Sequence, residues 1–303
     1  MSIEKVRASL RGISGIHVTP YAEDGSIAFG TLRQIVSRMA DAGIHNIVCG
    51  GNTGEFFALT ETEVLKLQEA AVAAIAGKAV ATAAVGRSLI EAKATARAAK
   101  KAGFDAIMAH HPLDPFAAPK AQAGYFLALA EASELPLVAY LRSDAIAVPD
   151  ILKVAQHPNV AGVKYASTNL LLLAELVRAG QGSTAIWVCG LAEGWAAPFH
   201  ALGARGFTSG LVNVAPERSL AIWKAMEAAD YVQVARLVDQ IARFEAMRTL
   251  HNNGANVTVV KEAMTMTGTP VGPVRLPGLT QLEPADREKL RAILTSWGLT
   301  TRP

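Results

Sequence analysis

The chain has 303 residues, of which 51% are hydrophobic and 18% charged, so a disordered chain too polar to bury a core is excluded. Its 29 basic and 26 acidic side chains leave a net charge of +3 with no clustered basic face, which argues against nucleic acid as a partner. Cys49 and Cys189 support no disulfide framework, the most apolar stretch (70–86) is broken by Gly77 and Lys78 and is too short for a membrane span, and residues 1–15 carry no apolar run of the secretory type, so the expected setting is the cytoplasm, without a membrane partner.

Along the chain, short apolar runs with strand character alternate with stretches of helical spacing. Strands are predicted at 14–19, 46–49, 79–85, 105–109, 137–141, 161–164, 185–189 and 206–210. Helices are predicted between them at 31–42, where Leu32, Ile35, Val36 and Met39 share a face, and at 61–76, 90–102, 123–132 and 170–179. Eight such units, repeating every roughly 25–35 residues, fit a (β/α)8 barrel of about 250 residues. A doubly wound open sheet is the alternative. After Gly210 the strand signal ends: 216–250 is mostly helical, a second helix follows at 257–266, then the loop GTPVGPVRLPGL (268–279) and a helix at 284–296. The expected organisation is a barrel over 1–230 that carries the active site, with a C-terminal helical domain over 231–303.

In such a barrel the chemistry sits where strands end. Lys164 closes the run NVAGVK, and a lysine in a barrel interior is desolvated, which favours the neutral amine needed to form a Schiff base with a ketone. The plainer alternative is a strand-end lysine that reaches solvent or pairs with Glu55. Tyr140 ends the preceding strand, where a phenol can pass protons to and from an imine. The alternative there is a core tyrosine with a satisfied hydroxyl. The loop GGNTGE (50–55), with Asn52 and Thr53, offers backbone N–H groups to a carboxylate or phosphate, or is only a tight turn before a helix. Arg142 shares the face of Tyr140 if the strand alternates, and either grips a second carboxylate or lies on the surface. His110 and His111 are adjacent and point apart, without metal-ligand spacing, so no metal is expected. No glycine-rich nucleotide fingerprint is present, so no organic cofactor is expected either.

The runs VTPYAEDGSI (18–27), GGNTGEFFALTETE (50–63), a strand-end tyrosine, AGVK, GFTSGLVNVAPE (206–217) and GPVRLP (272–277), in this order, resemble the dihydrodipicolinate synthase / N-acetylneuraminate lyase superfamily. That resemblance implies a homotetrameric (β/α)8 barrel with class I aldolase chemistry on pyruvate or another 2-oxo acid. It makes Lys164 the Schiff-base lysine and Tyr140 the proton-transfer residue. It places Thr53 and the backbone of Thr208 on the substrate carboxylate, and Gly190 along the site. Three features depart from the dihydrodipicolinate synthases: Asn52 replaces the first threonine of G-T-T-G-E, the HHPLDPF segment lacks the tyrosine lent by a neighbouring subunit, and Ala145 stands where an arginine is usual. The Tyr-x-Arg arrangement and the GEFF-A-L loop look closer to the 5-dehydro-4-deoxyglucarate dehydratase branch, in which Arg142 would hold the distal carboxylate. HHPLDPF fits neither branch. The expected function is a lyase acting on a keto-deoxy sugar acid. A pyruvate-dependent aldolase or condensing enzyme is the first alternative. A non-catalytic sugar-acid-binding barrel is the second, and the retention of both Lys164 and Tyr140 speaks against it.

Overall fold

Strands that are apolar on both faces need cover on both faces, and a ring of parallel strands inside a ring of helices provides it. The computed structural model, which describes residues 2–302, closes such a ring. An N-terminal helix α1 (Ile3–Leu10) precedes β1 (Ile13–Ile16), α2 (Phe29–Asp41), β2 (Asn46–Cys49), α3 (Glu61–Ile75), β3 (Val80–Val85), α4 (Leu89–Ala102), β4 (Ala106–Ala109) and α5 (Pro119–Ala132). Then come β5 (Leu137–Leu141), α6 (Val148–Gln156), β6 (Val160–Tyr165), α7 (Leu170–Ala179), β7 (Ile186–Cys189), α8 (Glu193–Ala201) and β8 (Gly206–Ser209). Four helices follow: α9 (Pro216–Glu227), α10 (Tyr231–Arg248), α11 (Asn256–Met266) and α12 (Pro284–Ser296). Each strand pairs in parallel with the next, and β8 pairs with β1, so the sheet is a closed barrel rather than an open doubly wound sheet.

Local signals set the helix starts. Thr60 with Glu63 and Ser88 with Glu91 form reciprocal capping boxes at α3 and α4. Asp230 caps α10 by accepting from the Gln233 N–H at 3.0 Å. That cap, together with a left-handed Ala229 (φ 54°), divides the predicted helical span 216–250 into two helices. Three helices were not expected from periodicity. α6 carries Pro149 in its first turn, where the missing N–H costs nothing, and α8 contains Pro198 and Gly194, which read as breakers. The third, α1, is short and mostly polar, but it buries Val6 and Leu10. Leu10 closes the bottom of the barrel, and its carbonyl oxygen would lie 2.1 Å from a Cβ at position 206, so β8 must begin with glycine. The first strand ends at Ile16, earlier than the predicted Thr19, because the chain turns there toward the site.

The barrel interior above Leu10 mixes apolar and polar side chains. Thr82 donates to Asn46 Oδ1 at 2.7 Å and Asn46 donates to Ser14 Oγ at 3.0 Å, which links three neighbouring strands. Beyond β8 the fully buried Asn213 stitches the seam: its Oδ1 accepts from the Val18 N–H at 3.0 Å, and its Nδ2 donates to the Ile16 and Gly210 carbonyls at 2.8 Å each. Among the described residues, no helix is long and apolar enough to cross a membrane. Asn213→Ala removes all three seam bonds and leaves buried backbone groups unmet. It is expected to destabilise the protein by about 2–4 kcal/mol, seen as a lower urea midpoint at unchanged slope.

Candidate active site

Tyr140 and Lys164 are register partners on β5 and β6, so their side chains enter the barrel side by side at one level. The Lys164 Nζ lies 3.9 Å from the centroid of the Tyr140 ring. Both residues are buried, at 4% and 5% exposure. No carboxylate lies within ion-pair distance of Lys164 among the described residues, so the pairing with Glu55 that the sequence left open does not occur. Glu55 instead binds Lys261, 2.9 Å away. Burial, reinforced by the positive charge of Arg142, brings the Lys164 amine down to about 7. Burial raises the Tyr140 phenol, against the opposing pull of Arg142 and of the Asn52 amide.

The GGNTGE loop arrives from β2 as a tight 3-10 turn over Asn52–Gly54, followed by Glu55 in the left-handed region (φ 58°). The turn uses the Gly54 and Glu55 N–H groups internally. The N–H groups of Asn52 and Thr53 have no acceptor among the described residues and remain available. Asn52 Nδ2 donates to the Tyr140 hydroxyl at 3.1 Å, so the residue that departs from the resembled motif contacts the phenol directly. That hydroxyl accepts one bond and keeps its proton free to donate.

These groups open onto a cavity of about 590 Å³. It brings together the residues assigned to the site from the sequence: Asn52, Thr53, Tyr140, Arg142, Lys164, Gly190 and Thr208. Tyr140 and Arg142 share one wall, as strand alternation requires, and Arg142 is nonetheless solvent-exposed. The adjacent histidines do separate. His110 stacks on Phe56 and its Nε2 lies 3.2 Å from the Gly50 carbonyl, with its pKa pushed down to about 3 by burial, so it is neutral. His111 faces Phe126. No group of three or more histidine, cysteine, aspartate or glutamate side chains among the described residues has the arrangement of a metal site. A larger hollow of about 940 Å³ lies between the 20–28 loop and the C-terminal helices, but its buried ammonium, Lys261, is already met by Glu55 and the Thr19 and Pro273 carbonyls.

One wall was not found from the sequence. Glu245 and Arg248 from the end of α10, then Asn252, Asn253 and Asn256, line the same cavity. Arg248 is 4% exposed, and its Nη2 would lie 2.8 Å from a Cβ at position 210, so Gly210 makes room for the guanidinium beside Thr53. The available signal was the run HNNG (251–254), since Asn-Gly marks a left-handed turn, but nothing local says that the turn faces a site.

Comparisons with known proteins bear on the family and the fold. A protein of Methylobacterium radiotolerans named probable 5-dehydro-4-deoxyglucarate dehydratase is 31% identical over 299 residues, covering 96% of each chain. A Streptomyces griseus protein of the same name is 30% identical over 306 residues, covering 98% of this chain and 95% of that one. The crystal structure of dihydrodipicolinate synthase from Bacillus clausii superimposes with a TM-score of 0.94 at 36% identity, covering 97% of this chain and 100% of that one. The corresponding structure from Oceanobacillus iheyensis gives 0.95 at 33% identity, covering 98% and 99%. The model of the dihydrodipicolinate synthetase family matches residues 9–297, and the chain belongs to that family.

Proposed function

We propose that this chain is a class I aldolase-type lyase that forms a Schiff base with a keto-deoxy sugar acid, 5-dehydro-4-deoxyglucarate being the substrate the relatives' names favour. The observation that carries the reading is the buried, carboxylate-free amine of Lys164 beside the Tyr140 phenol at the base of an open cavity. The barrel, residues 1–230, supplies the reacting groups, and the helical part, 231–303, closes one wall. The free N–H groups of Asn52 and Thr53, the Thr53 hydroxyl and the strand end at Thr208 hold the carboxylate next to the ketone, while Gly190 leaves room along the chain. The neutral Lys164 amine attacks the ketone carbon. The Tyr140 hydroxyl, oriented by Asn52, delivers a proton to the departing hydroxyl of the carbinolamine, and water leaves. The cationic imine then draws electrons from the neighbouring carbon, which loses a proton and expels hydroxide from the next carbon as water. Hydrolysis regenerates the amine. Arg142 holds the far carboxylate. This assignment is preferred to condensation of pyruvate with an amino aldehyde because Ala145 and the tyrosine-free segment after β4 lack the groups that the synthase reading calls for.

The same reading carries a homotetramer in the cytoplasm. Phe57, Ile90, Leu113 and Phe116, in the segments that follow β2, β3 and β4, are exposed apolar side chains available for a second copy to cover.

Borohydride reduction with pyruvate or 5-dehydro-4-deoxyglucarate is expected to leave one adduct at Lys164 by peptide mass mapping. Absence of any adduct, or full activity in Lys164→Ala, overturns the reading. Tyr140→Phe is expected to lower turnover about 10²–10⁴-fold, with the adduct still forming slowly. The pH profile has a defined sign. Only the unprotonated amine attacks, so the rate of pyruvate trapping should rise with pH through about 7. Arg142→Ala removes a charge that lowers the amine's pKa, so this acidic limb should move to higher pH; a limb that stays in place separates Arg142 from the amine.

A further inference from the structure

The barrel strands do not supply the whole cavity wall. After α10 the chain makes a compact turn in which His251, Asn252 and Asn253 all adopt left-handed backbone, with φ of 53°, 54° and 68°. Side chains rarely take this region, asparagine being among the most tolerant, and three in succession persist only where the surroundings hold them. Here one buried guanidinium ties both ends of the segment. Arg248 Nη1 donates to Glu245 Oε1 and Oε2 at 2.7 and 3.0 Å, and its Nη2 donates to Asn256 Oδ1 at 3.0 Å. Backbone bonds from Asn253 N to Thr249 O and from Ala255 N to Leu250 O, at 3.0 and 3.2 Å, close the turn.

This turn presents the exposed Asn252 and Asn253 side chains along the cavity, and neither carboxamide has a hydrogen-bond partner among the described residues. A carboxamide offers two donors and an acceptor and no charge, which suits the hydroxyl groups of a sugar chain. Arg142, on the β5 side of the cavity, is the group suited to an anion. A plain pyruvate carries only a methyl group beyond the ketone and has no hydroxyl to use such a wall.

We propose that Asn252 and Asn253 form the specificity wall of the active site, hydrogen-bonding the hydroxyl groups of a polyhydroxylated 2-oxo acid beyond its reacting ketone, with Arg248 as the positioning residue that holds the wall in its left-handed turn. The proposal rests on the Schiff-base reading above. Its test uses the intact protein and borohydride trapping, which needs only imine formation. Half-saturating concentrations are measured for pyruvate, for 2-keto-3-deoxygluconate and for 5-dehydro-4-deoxyglucarate. The wild-type protein should be half-saturated at a lower concentration by the hydroxylated acids than by pyruvate.

In Asn252→Gly/Asn253→Gly, glycine keeps the left-handed turn and removes only the carboxamides. The ratio of half-saturation for each hydroxylated acid to that for pyruvate should rise about tenfold, as expected for the loss of two hydrogen bonds. Asn252→Asp/Asn253→Asp keeps the shape, adds charge, and should raise the ratio further for the diacid than for the monoacid. Arg248→Lys should reproduce the glycine variant's change in ratio, with increased proteolysis of the 248–256 segment. A purely structural Arg248 would change stability and leave the ratio alone. Equal half-saturation of all three acids in the wild-type protein, or ratios unchanged in both double variants, overturns the proposal. Failure of every acid to give an adduct strikes the Schiff-base reading instead.

Discussion

An amine held out of water with no carboxylate to meet it is the constraint around which the site is arranged. A lysine at the end of a parallel strand ordinarily finds a counter-ion or reaches solvent; Lys164 does neither, and the cost of burying its ammonium falls on the protonated form. The face of the Tyr140 ring, 3.9 Å away, offers partial compensation to any cation at that nitrogen, and Arg142 opposes it. In the reaction proposed above, this balance has a chemical use. A free ammonium on the cavity floor has no anion beside it, whereas an iminium formed from a 2-oxo acid carries its own carboxylate on the adjacent carbon. The intermediate is therefore better matched to the floor than the protonated resting state is.

The loop opposite this amine is fixed from behind by residues some two hundred positions later. Glu55, left-handed and buried, receives the Lys261 ammonium on one oxygen and the Arg275 N–H on the other, at 2.9 and 2.8 Å. Lys261 also donates to the Thr19 and Pro273 carbonyls, so a single ammonium joins the loops that follow β1 and β2 to the C-terminal segment. The Tyr21 ring lies against both cations, 4.2 Å from Lys261 Nζ and 4.3 Å from Arg275 Cζ. A buried ion pair of this kind contributes little net stability compared with apolar packing of the same volume, but it specifies geometry. Here the geometry it specifies is the turn that offers the Asn52 and Thr53 N–H groups. The helices after β8 thus support the site from two directions: Lys261 behind the loop and the 248–256 turn along the cavity.

The legible parts of the fold are those whose physics is local. The strands at 46–49 and 137–141 have the predicted bounds because a strand covered on both faces is written as an unbroken apolar run between turn residues. Lys164 and Tyr140 stood out for the same reason, as polar residues closing such runs. The hidden helices were α6 and α8, whose prolines read as breakers when taken without their position in the helix, and α1, which buries Val6 and plugs the barrel with Leu10. The site residues that escaped notice, Arg248, Asn252, Asn253 and Asn256, lie at a helix end and in a turn, where the same residue types are usually solvated. Their placement depends on how α10 packs against α8 and α9, which periodicity does not encode. Glu55 shows the same limit: linear reading left a pairing with Lys164 open as the alternative to a catalytic lysine, and tertiary packing gave Glu55 to Lys261.

Under the proposed function, charge accounting over the cavity points to a diacid rather than a monoacid. Of the cations that line it, Arg248 is already neutralised by Glu245, and Lys164 is held well below the ordinary amine range by burial. Arg142 is the lining guanidinium without a carboxylate partner among the described residues, and it sits at the exposed side, two residues beyond the phenol. The carboxylate beside the ketone needs no fixed cation, because the neutral N–H groups of the 50–55 turn can receive it and the iminium supplies the positive charge as it forms. An unpaired guanidinium at the opposite end would be redundant for a substrate with one carboxylate. For a substrate with two, it completes the match: one anion is met by the charge that the reaction creates, and the other by the charge that the protein already holds.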